Sequence, residues 1–250
     1  MCSSDLDPAG ERDAAGGFDV PADHERVWDF SAEGSRRSIE ESLERLGHDR
    51  VDVVLVHDPD DFEAEARDGA FPELLRLRSE GVVGAVGAGM NQSAALTRFV
   101  AEFDLDVVLL AGCYNLVEQG ALDDLLPVAL DRGTSVVLGG VFGSGLLAHD
   151  VPSATATYRY APVSGPVLDR ARRIAALAGE HGTTLPAAAV QFALAHPAVA
   201  SAVLGMRSTA EVERNAALTA ARIPAPFWED LRAQGLVRSD APLPRTAAAT

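Results

Sequence analysis

The sequence predicts an α/β fold, a (β/α)8 TIM barrel with about its first three strands missing from this chain. Three observations carry that prediction. Five short apolar, β-branched runs alternate with segments of helical period, and no segment looks like a hairpin. Such alternation means parallel strands covered by helices. An open nucleotide-binding sheet would show Gly-x-Gly-x-x-Gly at its first strand–helix turn, and Gly84, Gly87 and Gly89 do not match that spacing. A barrel needs eight strands; at roughly 30 residues per unit, three absent strands correspond to about 80–90 residues.

The elements follow in order. Ser35 is placed to N-cap a helix whose Ile39, Leu43 and Leu46 recur at i, i+4 and i+7, and Gly47 ends it. The run 51–56 reads as a buried strand between helices. A helix near 68–80, with Phe71, Leu74, Leu75 and Leu77, closes at Gly81, and strand 82–87 follows. Helix 92–103 carries Leu96, Phe99 and Val100 and leads to strand 106–110. Helix 119–132 ends at Gly133 and feeds strand 134–138. Residues 140–163 form a long loop rich in Gly, Ser, Ala and Tyr. Two helices near 165–180 and 185–195 precede strand 200–204, and helices near 209–220 and 225–234 complete the pattern.

Composition bounds the function. The 250 residues are 47% apolar and 23% charged, and no apolar run reaches membrane-spanning length. Net charge is −16, and an acidic surface repels phosphate backbones, which argues against a nucleic-acid partner. All 21 basic residues are arginine, so a mechanism that needs a lysine amine is excluded for the chain as written. Cys2 and Cys113 lie far apart and suggest no disulfide framework, which fits a reduced, cytoplasmic setting. The N-terminus lacks the basic and apolar regions of a signal peptide.

Residues 1–30 show no hydrophobic period, and only the piece at 17–21 is a candidate for order. Cys2-Ser-Ser-Asp-Leu6 reads back as TGC TCT TCC GAT CT, the end of a common sequencing adapter. The expected organisation is therefore a disordered or non-native 1–16, a partial barrel over 17–236, and a flexible Pro/Ala-rich tail over 237–250.

In a parallel barrel the chemistry sits where strands end. His57 ends the first apolar strand and is placed either to hydrogen-bond or exchange a proton with a substrate oxygen, or to serve as a structural histidine. Asp58, Asp60 and Asp61 beside it read as loop and helix-start residues; no second histidine stands at ligand spacing, and no metal is expected. Gly143-Ser144-Gly145 follows the penultimate strand, the usual barrel phosphate position, where bare N–H groups can hold a pyrophosphate. Arg207 and Ser208, after the last strand, have two readings: a charge-assisted contact to the same ligand, or a surface ion pair. Tyr114 and Asn115 end a strand and are placed to line the pocket, and Cys113 faces the core with nothing to activate its thiol. Tyr158 and Tyr160 either flank a ligand or anchor the loop.

Together these residues resemble the aldo-keto reductase superfamily over residues 17 to about 236. The strongest pieces are Arg36-Arg-Ser-Ile-Glu-Glu-Ser-Leu-Glu-Arg-Leu-Gly47, Asp52-Val-Val-Leu-Val-His-Asp-Pro59 and the segment from Leu185 to Pro197. The stretches Gly89–Gln92 and Gly139–Leu147 look most like aldose 1-dehydrogenases acting on fucose-type sugars, with pyridoxal dehydrogenases close by.

The resemblance implies hydride transfer between NAD(P) and a carbonyl or lactol carbon, here the oxidation of an aldose at C1 to a lactone. It makes His57 the family histidine. Phe142, Gly143, Ser144, Gly145 and Leu146 would hold the nicotinamide–pyrophosphate part, and Arg207, Ser208, Glu211 and Asn215 the adenosine end. Asn91, or Met90 beside it, would reach the nicotinamide amide, and Tyr114 would touch substrate. The slots for a family glutamine and for an aromatic under the nicotinamide read Ala111 and Gly139, and Phe142 is placed to substitute. The family tyrosine, aspartate and lysine would all precede residue 17, so this chain alone is expected to show no turnover. The alternative is a non-catalytic NAD(P)-binding protein of the same fold, or a pyridoxal-type dehydrogenase. The expected partner is a small carbonyl compound or sugar, with no nucleic acid and no membrane.

Overall fold

The computed structural model describes residues 2–3, 25–159 and 161–244. The chain forms two compact units, Met1–Gly84 and Ala85–Thr250. The rest of the expected 1–16 segment and the piece at 17–21 lie outside the described residues, as does Tyr160.

In the first unit, β1 (Cys2–Ser3) pairs antiparallel with β2 (Glu25–Arg26). Trp28, Phe30 and Phe62 then stack, with Phe30 and Phe62 centroids 5.4 Å apart and Trp28 and Phe30 6.1 Å apart. Helix α1 (Ala32–Leu46) starts at Ser31, whose side chain accepts from Gly34 N–H. Asp29 Oδ1 accepts in turn from the Ser31 hydroxyl at 2.6 Å, and this bond leads in holding the Asp29 carboxyl below its usual range. The expected cap, Ser35, is instead buried inside the helix. Gly34 makes the earlier start possible, because a Cβ there would fall 2.1 Å from Asp29 Cγ.

Strand β3 (Val51–His57) follows, and Val51 N–H donates to Val82 at the opening of β4 (Val83–Met90). Between them runs a helical stretch: a 3-10 turn (Asp60–Phe62), α2 (Glu63–Glu65), a π turn (Ala66–Ala70) and α3 (Phe71–Ser79). It starts earlier than the apolar period predicts, because the acidic 60–65 segment joins, its Phe62 turned to the Trp28–Phe30 stack. Phe71, Leu74 and Leu77 are its buried face.

In the second unit β4 pairs parallel with β5 (Val107–Ala111), in the register Gly87 to Val107 through Met90 to Leu110. Strand β5 pairs parallel with β6 (Ser135–Gly139), with Leu110 opposite Leu138. Strand β9 (Val199–Val203) lies parallel on the other side of β6, with Gly139 opposite Val203. Helix α4 (Ser93–Glu102) joins β4 to β5; a 3-10 turn (Gly120–Leu122) and α5 (Leu125–Arg132) join β5 to β6. Buried side chains from both layers, among them Leu96, Phe99, Val108, Leu110, Leu126 and Leu138, form one apolar core.

The segment between β6 and β9 holds a small antiparallel hairpin, β7 (Thr157–Tyr158) with β8 (Ala161–Pro162), which corrects the expectation of no hairpin. Then come α6 (Gly165–Glu180) and α7 (Leu185–Ala193). After β9 follow α8 (Thr209–Ala220) and α9 (Ala225–Ala233). Trp228 on α9 is buried. The start of the expected loose tail is anchored: Val237 and Ala241 are buried, and Arg238 pairs with Asp123 at 2.7 Å and Asp240 at 2.8 Å. Any loose segment therefore begins past Ala241. Among the described residues no helix is long and apolar enough to cross a membrane.

The architecture is α/β of the (β/α)8 barrel type. Among the described residues five parallel strands stand where a complete barrel has eight.

Candidate functional site

In the second unit the ends of β6 and β9 lie side by side, so the loops that follow them face each other. The β6 loop is pinned by Val141, Leu146 and Leu147, all buried. Between these anchors the chain turns through three consecutive left-handed residues, Gly143 (φ 53°), Ser144 (φ 54°) and Gly145 (φ 98°). Glycine adopts this region freely, whereas serine pays about 1 kcal/mol or more. The turn is closed by its own hydrogen bonds. Gly143 N–H donates to Gly140 at 2.8 Å, Gly145 N–H to Phe142 at 3.1 Å, and Leu146 N–H to Gly143 at 3.1 Å. The expectation of bare amides is therefore corrected at these three positions.

The facing wall is built by a helix start. Ser208 caps α8, its hydroxyl accepting from Glu211 N–H at 3.3 Å, and Glu211 Oε2 accepts from Arg207 N–H at 2.7 Å. This is close to the reciprocal capping box. The Arg207 N–H bond leads in holding the Glu211 carboxyl below its usual range. Arg207 Nη2 also lies 3.6 Å from Glu211 Oε1, while 92% of its side chain remains exposed. Arg214 and Asn215 stand at i+3 and i+4 from Glu211, on the same helix face. Asn215 is buried, with Oδ1 accepting from Arg214 Nε at 3.4 Å.

Between the walls lies a cleft of about 510 Å³. It brings together Phe142, Ser144, Gly145, Arg207, Glu211 and Asn215 from the sequence-based set. It adds His149 and Arg214, which sequence reasoning missed. Arg214 was legible in the spacing from Glu211; His149 belongs to no motif. A second cleft of about 330 Å³ shares Ser144, Gly145 and His149 and continues along Ser153, Thr155 and Thr157; Leu146 lines this one.

The remaining candidates sit elsewhere. Gly143 is covered by Tyr158, which answers the question about that tyrosine: its ring anchors the loop. Burial pushes the Tyr158 hydroxyl up. Ser208 serves as a helix cap. Asn91 is exposed, and its carbonyl accepts from the Cys113 thiol at 3.0 Å. That thiol is buried, and burial pushes it up, as an unactivated cysteine requires. Tyr114 does not line either cleft: it is 0% exposed, stacked on Phe192 at 5.4 Å and edge-on to His196 at 5.9 Å. Gly112 (φ 72°) turns the chain between β5 and Tyr114, which directs the ring into the core. His57 belongs to the first unit, where it ends β3 with 78% of its side chain exposed and Nδ1 3.5 Å from Asp58 Oδ2.

Comparison with known proteins gives four findings. A family model described as "Aldo/keto reductase family" matches residues 20–234. A D-threo-aldose 1-dehydrogenase from Pseudomonas sp. is 44% identical over 221 residues, covering 88% of this chain and 67% of the relative. A pyridoxal 4-dehydrogenase from Microbacterium luteolum is 36% identical over 221 residues, covering 84% of this chain and 64% of the relative. The chain thus spans about two thirds of the length of these relatives. Among solved structures, an aldo-keto reductase from Bacillus halodurans in its holo form superposes with a TM-score of 0.67 at 22% identity, covering 86% of this chain and 70% of that one.

Proposed function

The chain belongs to the aldo/keto reductase family, and from that membership we propose that the protein is an NAD(P)-dependent oxidoreductase that oxidises an aldose at C1 to a lactone. The observation that carries the cofactor half is the 510 Å³ cleft between the β6 loop and the start of α8. Its donor set suits a dinucleotide. Arg207 and Arg214 are cations, and open space stands over Gly145 and Gly205, where a Cβ would meet nothing within 4 Å. Glycine there lets a ligand approach the backbone closely.

A nicotinamide dinucleotide, when bound, supplies the hydride acceptor. The oxidation would take a hydride from the aldose C1 to that cofactor and release the C1 hydroxyl proton to solvent. On this reading Phe142, Ser144 and Gly145 form the wall beside the diphosphate. Arg207 and Asn215 face the adenosine end, and Glu211 holds Arg207 in place. For the first unit, family resemblance alone makes exposed His57 the residue proposed for the substrate oxygen. Tyr114, closed inside the core, is left out of the assignment. The aldose substrate rests on the 44% identity to the D-threo-aldose relative.

The test is fluorescence titration of the 250-residue chain with NADH and NADPH. Saturable binding, competed by ADP-ribose and weakened by Arg207→Ala, is expected. Failure to bind either nucleotide would overturn the cofactor assignment. The substrate half is tested by assaying L-fucose and pyridoxal in parallel with NAD and NADP. Preferential oxidation of pyridoxal would move the assignment to the activity of the second relative.

A further inference from the structure

A dinucleotide brings two negative charges on its diphosphate, and the cleft must answer them. Five amides of the β6 loop, those of Gly143, Gly145, Leu146, Leu147 and Ala148, are already bonded to loop carbonyls. Arg207 shares its charge with Glu211, and Arg214 turns its Nε to Asn215. His149 differs from both: it is exposed, lines both clefts, and has no hydrogen-bond or ion-pair partner among the described residues. It stands where the clefts share Ser144 and Gly145, so a chain-like ligand running from one into the other passes its ring.

We propose that His149 is a further binding residue for the cofactor's diphosphate, donating an imidazole N–H at the wall common to the two clefts. The proposal rests on the cofactor reading of the larger cleft. An imidazole ring offers an N–H donor to a diphosphate oxygen. The charged groups across the larger cleft are Arg207, Glu211 and Arg214. The smaller cleft presents hydroxyls and apolar groups besides His149. Neighbouring Asp150 is occupied, accepting from Leu185 N–H at 3.0 Å.

The experiment is calorimetric titration of the 250-residue chain and of His149→Ala with NADH, ADP-ribose and adenosine. His149→Ala is expected to weaken NADH and ADP-ribose about tenfold, as loss of one hydrogen bond to a charged group does. Adenosine, which has no diphosphate, should change less than about twofold. His149→Gln, which keeps an N–H donor, should recover part of the loss. Unchanged ADP-ribose affinity in His149→Ala, or an equal loss for adenosine, overturns the proposal while leaving the cofactor reading intact. If the unmodified chain binds neither NADH nor ADP-ribose, the cofactor reading itself fails and the proposal falls with it. An unchanged circular-dichroism melt shows that the exposed substitution leaves the fold in place.

Discussion

The ring of Tyr158 lies flat enough against the backbone of Gly143 that a Cβ built there would stand 2.9 Å from Cε2 and 3.0 Å from Cδ2. One tyrosine thus clamps the left-handed turn that forms a wall of the cleft. Gly143→Ala meets two penalties, the ring and a φ of 53° that alanine disfavours. The variant is expected to lose about 1–2 kcal/mol of stability and to bind NADH more weakly. Adding Tyr158→Ala should relieve the steric part and leave the backbone part. Urea midpoints and NADH titrations of the single and double variants check this; a fully restored double variant would show that φ contributes nothing.

The start of α8 carries the facing wall, so its cap should matter to binding as well as stability. Ser208→Ala is expected to cost about 1 kcal/mol, read by urea denaturation. Glu211 contributes differently, because its carboxyl is held below the usual range by the Arg207 N–H. A lowered pKa means the stabilisation is complete above the ordinary glutamate value of about 4.3 and disappears as pH falls through the lowered value. The stability gap between the unmodified chain and Glu211→Gln should therefore be present at neutral pH and close in acid. A gap that persists unchanged well below that range would assign the effect to packing.

The first unit has its own charge centre. Glu73 is buried between Arg36 and Arg76, accepting from Arg76 Nη2 at 2.8 Å and Nε at 3.0 Å and also from Arg36 Nε. Burial pulls the Glu73 carboxyl up, but the hydrogen bonds from Arg76 and Arg36 outweigh it and leave it below the usual range. Glu73→Gln is expected to destabilise the first unit by about 1–2 kcal/mol at neutral pH, the lower part of the range for charged hydrogen bonds because both arginines stay partly solvated. The sign is that of a lowered carboxylate, so the loss should shrink as pH falls through the wild-type value. Denaturation at neutral and at acidic pH, followed by Trp28 emission, tests both parts.

The strands were legible because each is a short β-branched run between helical periods; the one expected as a buried strand at 51–56 runs from Val51 to His57, but only Val56 in it is buried. Helices at 165–180 and 209–220 match their expected bounds, where Gly165-Pro166 and Ser208 mark the starts. What escaped depends on contacts rather than period. Ser31 caps α1 because Asp29 and Gly34 fit around it, and neither fact is local to a serine. Two-residue strands such as β7 and β8 leave no alternation to read, and Pro162 argues against a strand. At the site, the loops after β6 and β9 stood out by composition and position. The side chains divided less clearly: position at a strand end does not say whether Tyr114 points to the mouth or into the core. His149 had no spacing to betray it.

The two tryptophans have a practical consequence for following this molecule in solution. Trp28 sits 46% exposed in the aromatic stack of the first unit, and Trp228 sits 3% exposed in the core of the second. The chain has no others. Each compact unit thus carries one native fluorophore, and their contrasting solvation separates the emission in colour and in access to quenchers. Replacing either by phenylalanine leaves a single-channel reporter. With the pair of variants, loss of structure in the charge-centred unit and in the cleft-bearing unit can be timed separately without an added dye.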